Sequence, residues 1–326
     1  MNITKTKPID TSQTACPLCG EVAKELLAPE LRRGKGKVLY CSACDHGFLA
    51  QNLIHDAKAY YDGEYRQEYS HNADATTTNA REIFEIYSQF QADRLRIIYP
   101  ELKADSTVLE IGASAGQFVS HIKNRVAKVH AIELDSACCT FLDEIIGVEC
   151  DAEFLENSRF ANERYDVICA FQVMEHVEDP VAFLGTLKRV ARPGASIFIE
   201  VPNLHDPLLS VWDVPTYRKF FYHSAHLHYF TERSVRQVAE KAGFTSANIE
   251  VIFTQDYNLL NQLHWIMNDG PQANCLVGLS EIQLQGVDDE ISGWLTQEME
   301  ALNQRYIDRL IAKKRTSNML MKLKND

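Results

Sequence analysis

Three groups of residues in this chain have types and spacings that could do chemistry. Cys16 and Cys19 form one Cys-x-x-Cys knuckle, and after 21 intervening residues Cys41 and Cys44 form a second. Four thiolates spaced this way close around one ion in a tetrahedral S₄ site. Such a site suits Zn²⁺ and leaves no open position, so the expected zinc is structural. Two spaced pairs read as a metal site rather than a redox pair. His46, two residues past Cys44, is the alternative ligand. The second group begins where an apolar run ends in Glu110-Ile111-Gly112-Ala113-Ser114-Ala115-Gly116. Gly112 permits a sharp turn, and Gly116 lets a ligand approach the following helix. Glu133 and Asp151 end the next two apolar runs. A carboxylate at the first position can accept from two ribose hydroxyls, and one at the second from an adenine amine, which together describe a nucleoside pocket. The third group is Tyr222 to Thr231, where His223, His226 and His228 fall within six residues. Imidazoles titrate near neutral pH and make this segment a source of general bases, with Tyr222 beside them and His176 as further acceptor-side candidates.

The elements that must position these groups alternate in type. TVLEIGA, KVHAIELD, VEC, YDVICAF and SIFIEVPN read as strands, while SAGQFVSHIKNR, SACCTFLDEI and DPVAFLGTLKRVA read as helices between them. That order predicts an α/β fold with a doubly wound, mostly parallel sheet, whose ligands sit beyond the carboxyl ends of the strands. Ahead of it, LLAPELRRGKGKVLY reads as a hairpin turning at Gly34 and Gly36. About 50 residues hold too little core to fold alone, so the ion would supply much of the folding free energy. AYYDGEYRQEYS reads as a connector or part of a lid, and AREIFEIYSQFQADRLRIIY as a helix ended by Pro100. After NIEVIFTQ the final third reads as helical, with Ile291, Trp294, Leu295, Leu302, Tyr306 and Leu310 on one stripe suited to packing or to a homodimer. The expected units are a zinc-ribbon module over 1–62, a helical connector or lid over 63–104, a cofactor-binding core over 105–257 and a helical region over 258–326. Cys138, Cys139, Cys150, Cys169 and Cys275 lie in or beside apolar runs and read as small core residues.

VLEIGASAGQF, AIELD, CDAEFL and YDVICAFQVMEHVEDP followed by RPGASIFIEVPN resemble the class I S-adenosylmethionine-dependent methyltransferases, which have a Rossmann-like core. The resemblance implies that Glu110, Gly112 and Gly116 shape the site for the methionine part and that Glu133 binds ribose. It also implies that Asp151 and Ala152 border the adenine and that Phe171 and Gln172 line the sulfonium end. His176, in MEHV, would orient its loop or touch the acceptor. The ribbon joined to this core, with HLHYFT after the fifth strand, is similar to bacterial methyltransferases of nucleotide-linked deoxysugars. Those carry His-Glu-His-x-x-Tyr-Phe, in which a histidine beside a glutamate serves as base. Here His226 fits the second histidine and Tyr229-Phe230 the end, but Ala225 holds the glutamate position and His223 falls one residue early. O- or N-methylation is therefore as well supported as C-methylation. Tyr217 and Tyr222 are candidates to stack on a sugar or base.

Two other readings are weighed. Gly112-x-Ser114-x-Gly116 also matches a hydrolase nucleophile elbow, but no earlier strand supplies the oxyanion-hole loop. A dinucleotide oxidoreductase lacks its G-x-G-x-x-G order. Net charge is −12 over 326 residues. Residues 1–50 carry +2 and residues 301–326 carry +5, which leaves −19 between them. An acidic centre repels a phosphate backbone and favours a small acceptor over nucleic acid, although an RNA methyltransferase with an N-terminal zinc module remains the alternative. The chain has no run approaching the roughly 20 apolar residues of a membrane span, and no apolar stretch behind its first basic residues. A cytoplasmic protein is expected.

Overall fold

The computed structural model describes residues 14–23, 25–32, 34–69 and 79–326. The first thirteen residues of the expected ribbon and residues 70–78 of the expected connector lie outside the described residues. Eleven strands run in chain order: β1 (Glu25–Ala28), β2 (Val38–Cys41), β3 (His46–Leu49), β4 (Thr107–Ile111), β5 (Lys128–Ile132), β6 (Glu149–Asp151), β7 (Tyr165–Phe171), β8 (Ala191–Pro202), β9 (His228–Tyr229), β10 (Ile249–Thr254) and β11 (Asn318–Lys324). Seven form the main sheet in the order β10-β11-β8-β7-β4-β5-β6. The five central to one edge, β8-β7-β4-β5-β6, pair in parallel, and β11 runs antiparallel between β8 and β10. The parallel strands read as unbroken apolar runs because both faces are covered. One apolar cluster, including Leu109, Ile168, Ile197 and Met321, fills one side, and another, including Val108, Val129, Val167 and Phe198, fills the other.

Two expectations change here. The last residues are not helical: Asn318–Lys324 is a sheet strand, so the region from 258 ends inside the core fold rather than beside it. NMLMKLK alternates weakly, but Met319, Leu320, Met321 and Leu323 are all buried between two neighbours, which decides for strand. The expected single helix before Pro100 is two, Ala80–Tyr87 and Ala92–Ile98, separated by a 3₁₀ turn at Ser88–Phe90. Elsewhere the local signals act as expected. Asp179 caps Pro180–Val190 by accepting from Val181 and Ala182 N–H, and Thr231 caps Glu232–Lys241 in a capping box with Ser234.

The second sheet, β1-β2-β3-β9, is antiparallel and carries the Cys41/Cys44 knuckle where β2 turns into β3, while the first knuckle precedes β1. Its fourth strand comes from the histidine segment, with His228 opposite Phe48 and Tyr229 opposite Gly47. The ribbon is therefore not a separate module ending near residue 62. It also rests on the helix Glu232–Lys241, from which Arg233 donates to Ala43 O at 2.6 Å and Lys241 to Leu18 O.

Candidate functional site

The carboxyl ends of β4, β5 and β6 lie side by side; Glu110 is the penultimate residue of β4, Glu133 follows β5 and Asp151 ends β6. Backbone N–H groups of Gly112 and Ala113 donate to Ile132 O, which folds the glycine turn against β5. Gly112 has φ +70° and Ser114 φ +49°. A Cβ on Gly112 would lie 2.5 Å from Val173 Cγ2. Gly116 has φ +86°, and a Cβ there would lie 2.5 Å from Leu142 Cδ2. Leu142 thus approaches Gly116 closely on the side where a Cβ would stand. Glu133 folds back over the turn and accepts from Ser114 N–H at 2.6 Å and from Asp135 N–H at 2.9 Å. Burial raises its carboxyl, while Arg66 opposes the shift. Asp151 accepts from Arg159 N–H at 2.7 Å, and Ala152 beside it is half-buried.

Glu110 is buried at the bottom of the site with Oε2 unpartnered. Burial pushes its carboxyl up to about 8, with Arg94 opposing and Glu133 adding repulsion. It lines a cavity of about 1070 Å³ together with Gly112, Phe171, Arg94, Glu200 and Asp256. Arg94 forks onto Glu200 and lies 4.5 Å above the Phe171 ring. Gln172, at φ +57°, donates from Nε2 to Glu200 at 3.0 Å. Asp256 accepts from Asn318 at 2.6 Å, and burial lifts it to about 6. Arg94, Glu200, Asp256 and Asn318 were missed in the sequence. Glu200 and Asn203 in IFIEVPN gave the one available signal, since they end a strand at the ligand-bearing edge.

The segment Ala57–Tyr69, read as connector or lid, lies over the glycine turn. Arg66 binds Asp135 and, at 3.2 Å, Ser114 Oγ, while Asp62 accepts from Ser136 N–H at 2.8 Å. The partners of Ser114 Oγ are thus Arg66 and Gln117, not a base that could activate a nucleophile. The hydrolase reading loses its geometry.

The histidine segment meets the loop after β7. His176 Nδ1 lies 2.8 Å from Ala225 O and 3.0 Å from Tyr61 Oη. His176 and His226 Nε2 lie 3.8 and 3.9 Å from Glu175 Oε1, and the His223 ring lies tilted against His226 at 3.7 Å between ring centroids. Glu175 thus brings a carboxylate to 3.9 Å from His226, whose sequence neighbour is Ala225. Burial lowers both His176, to about 4, and His226. Tyr222 is not here. It is buried under the β1-β2-β3-β9 sheet against Phe221 and Tyr229, which removes it as a catalytic candidate. Tyr217 is also packed away, donating to Asp206 at 3.1 Å and lying edge-on to Trp265. Stacking of either on a sugar is corrected.

The four knuckle sulfurs lie within 4.8 Å of one another, with Cys16 to Cys44 at 3.5 Å and Cys19 to Cys41 at 3.4 Å. Zn–S bonds of about 2.3 Å in a tetrahedron put sulfurs about 3.8 Å apart, far beyond the roughly 2.05 Å of a disulfide. The donor set fits zinc. His46 lies outside it, bonded to His228 at 3.0 Å. Cys138, Cys139, Cys150 and Cys169 are buried as expected, whereas Cys275 is only half-buried.

The model of a family described as methyltransferase domain matches residues 81–249, half of the chain. The chain belongs to this methyltransferase-domain family. The methyltransferase is 26% identical over 113 residues to the mitochondrial ubiquinone biosynthesis O-methyltransferase of Dictyostelium discoideum, covering 29% of this chain and 35% of that one. It is 27% identical over 105 residues to the ubiquinone biosynthesis O-methyltransferase of Serratia proteamaculans (strain 568), covering 30% and 44%. The chain thus spans less than half the length of these curated relatives. Among solved structures it is similar to a SAM-dependent methyltransferase from Archaeoglobus fulgidus, with TM-score 0.48, 17% identity and coverage of 75% and 97%. Among the described residues no helix is long and apolar enough to cross a membrane.

Proposed function

We propose that this methyltransferase transfers the methyl group of S-adenosylmethionine to an oxygen of a small polar acceptor, a sugar or nucleotide-linked sugar. The observation that carries this is the convergence of Glu110, Glu133 and Asp151 at the ends of three adjacent parallel strands, around a left-handed glycine turn. Glu133 would take the ribose hydroxyls, Asp151 and Ala152 would border the adenine, and Glu110 would receive the methionine ammonium. Phe171 and Gln172 would then face the sulfonium. Transfer is an in-line displacement, so the chain must orient an acceptor and accept its proton. The carboxylate-rich wall of Glu200 and Asp256 supports a hydroxylated acceptor and disfavours a polyphosphate strand. Similarity to ubiquinone biosynthesis O-methyltransferases favours oxygen over nitrogen or carbon. His226, beside Glu175, would be the proton acceptor, with His223 behind it.

The cysteine cluster would hold a structural Zn²⁺ that fixes the ribbon and, through β9, the histidine segment. Exposed Ile291, Trp294, Leu295 and Leu302 on the helix Asp289–Ala312 support a homodimer through this helix. The function is tested by incubating the protein with labelled S-adenosylmethionine and a panel of nucleotide-sugars, free sugars and catechols, followed by mass spectrometry. His226→Ala should keep the cofactor-binding heat and lower turnover by roughly 10²–10⁴. Transfer to RNA alone, or full turnover in that variant, would overturn the reading.

A further inference from the structure

Glu175 is a buried carboxylate with both oxygens unpartnered. Its side chain is 1% exposed, and its two nearest imidazole nitrogens stand at 3.8 and 3.9 Å. Those distances are too long for hydrogen bonds, which close at about 2.7–3.2 Å. A charge removed from water with no hydrogen bond is costly, so three donor atoms held apart around one point call for something between them.

The tautomer of His176 points the same way. Its Nδ1 faces the carbonyl of Ala225 at 2.8 Å, and a carbonyl can only accept, so Nδ1 carries the proton. Nε2 is left with a lone pair, aimed at Glu175. A histidine that donates one ring N–H to a backbone carbonyl and turns the other nitrogen inward is oriented as a metal ligand. His226 Nδ1 makes no hydrogen bond, which leaves its Nε2 available in the same direction. The ligand atoms of Glu175, His176 and His226 lie within 4.8 Å of one another. A tetrahedral ion with bonds of about 2.0–2.2 Å needs its ligands about 3.3–3.5 Å apart. Side-chain shifts of about half an ångström would bring each imidazole nitrogen and Glu175 Oε1 to that spacing.

We propose that Glu175, His176 and His226 bind a divalent cation of the zinc type, with one position left open for an oxygen of the acceptor. Two imidazoles and one carboxylate are the donor set of an open, three-ligand zinc site, unlike the closed cluster of Cys16, Cys19, Cys41 and Cys44. The opening lies on the imidazole side, where His176 and His226 keep 11% and 13% exposure. The site also adjoins the turn after Phe171, where Gln172 reaches back to Glu200. This deepens the proposed O-methyl transfer and rests on it only for the identity of the open position. A hydroxyl on the cation loses its proton to water. Its oxygen then forms the new O–CH₃ bond as the C–S⁺ bond breaks, and the bonding pair returns to sulfur as a thioether. With the cation bound, His226 is a ligand and the cation does the acidifying; in the cation-free protein His226 is the proton acceptor of the proposed transfer.

The test is Co²⁺ titration of the metal-stripped full chain, read by absorbance and by metal analysis. The thiolate site gives intense near-ultraviolet sulfur-to-cobalt bands, and the site at Glu175 gives visible bands without them. The expected result is two equivalents in the wild type. Glu175→Gln and His226→Ala should each bind one, with the thiolate bands intact. Cys16→Ser with Cys41→Ser should keep the visible bands alone, a readout that stands even if the Glu175 variant fails to fold. One equivalent in the wild type with thiolate bands only, or two in both Glu175→Gln and His226→Ala, would overturn the site. Calorimetry with S-adenosylmethionine on the stripped protein tests the cofactor reading separately, because that pocket contains none of the three ligands.

Discussion

Cofactor binding should release a proton from Glu110. Its carboxyl sits unpaired at Oε2 in the cavity floor, raised to about 8 by burial, with the Val119 N–H and Arg94 opposing and Glu133 reinforcing the shift. A group at about 8 is protonated over ionised by roughly 10 to 1 at pH 7 and roughly 100 to 1 at pH 6. The methionine ammonium is best received by the ionised form, so affinity must include the work of removing the proton. The apparent dissociation constant is therefore expected to be roughly tenfold weaker at pH 6 than at pH 7. Above that range the ammonium's own titration near 7.7–8.0 closes the curve into a bell. Glu110→Gln removes the ionisable group and should flatten the limb between pH 6 and 7. The assay is calorimetry with S-adenosylhomocysteine in two buffers of different ionisation enthalpy, which counts the protons released. About one proton per cofactor is expected at pH 6.5 in the wild type and about none in the variant. The same slope in both proteins, or no slope in the wild type, would refute the assignment. The stability of the cofactor-free protein follows the same sign. Because the folded value lies above the ordinary 4.5, the contribution of Glu110 is full below about pH 4.5 and is lost as pH rises through about 8.

Other outcomes follow from the same geometry. Glu133→Ala removes the acceptor of the Ser114 and Asp135 N–H groups as well as the proposed ribose contacts. Cofactor affinity measured by calorimetry should fall at least about tenfold. Gly116→Ala puts a Cβ 2.5 Å from Leu142 Cδ2 at φ +86°. Urea unfolding should show a loss of about 1–3 kcal/mol. Cys41→Ser should release the proposed structural zinc and lower the unfolding temperature. Because β9 is held by the ribbon, turnover should fall with it, and unchanged turnover would show that the ribbon does not support the histidine segment.

The carboxylates of the proposed adenosine site could be picked out because each lies at or beside the end of an apolar run. Glu110, Glu133 and Asp151 are the polar punctuation of β4, β5 and β6, and parallel pairing brings such ends together. The knuckles were legible from spacing alone. What local pattern could not reveal is pairing across long stretches of chain. Strand β9 joins a sheet whose other strands lie almost 180 residues earlier, so HLHYF read as a loop of catalytic candidates and hid the structural duty of Tyr229. Arg94 meets Glu200 across 106 residues, and nothing in the helical pattern of Ala92–Ile98 marks it as a pocket residue. Strand β11 was read as helical because its apolar residues do not alternate cleanly. Burial between β8 and β10 overrides that weak signal. Glu175 was passed over inside MEHV because a carboxylate is ordinarily on the surface, and only its position opposite His226 gives it meaning.

A crystal grown with S-adenosylhomocysteine probes the shared premise most directly. The ribose hydroxyls should appear within hydrogen-bond reach of Glu133, the adenine beside Asp151 and Ala152, and the amino group over Glu110. Density for the nucleoside away from those three carboxylates, in a crystal saturated with the compound, would contradict the account.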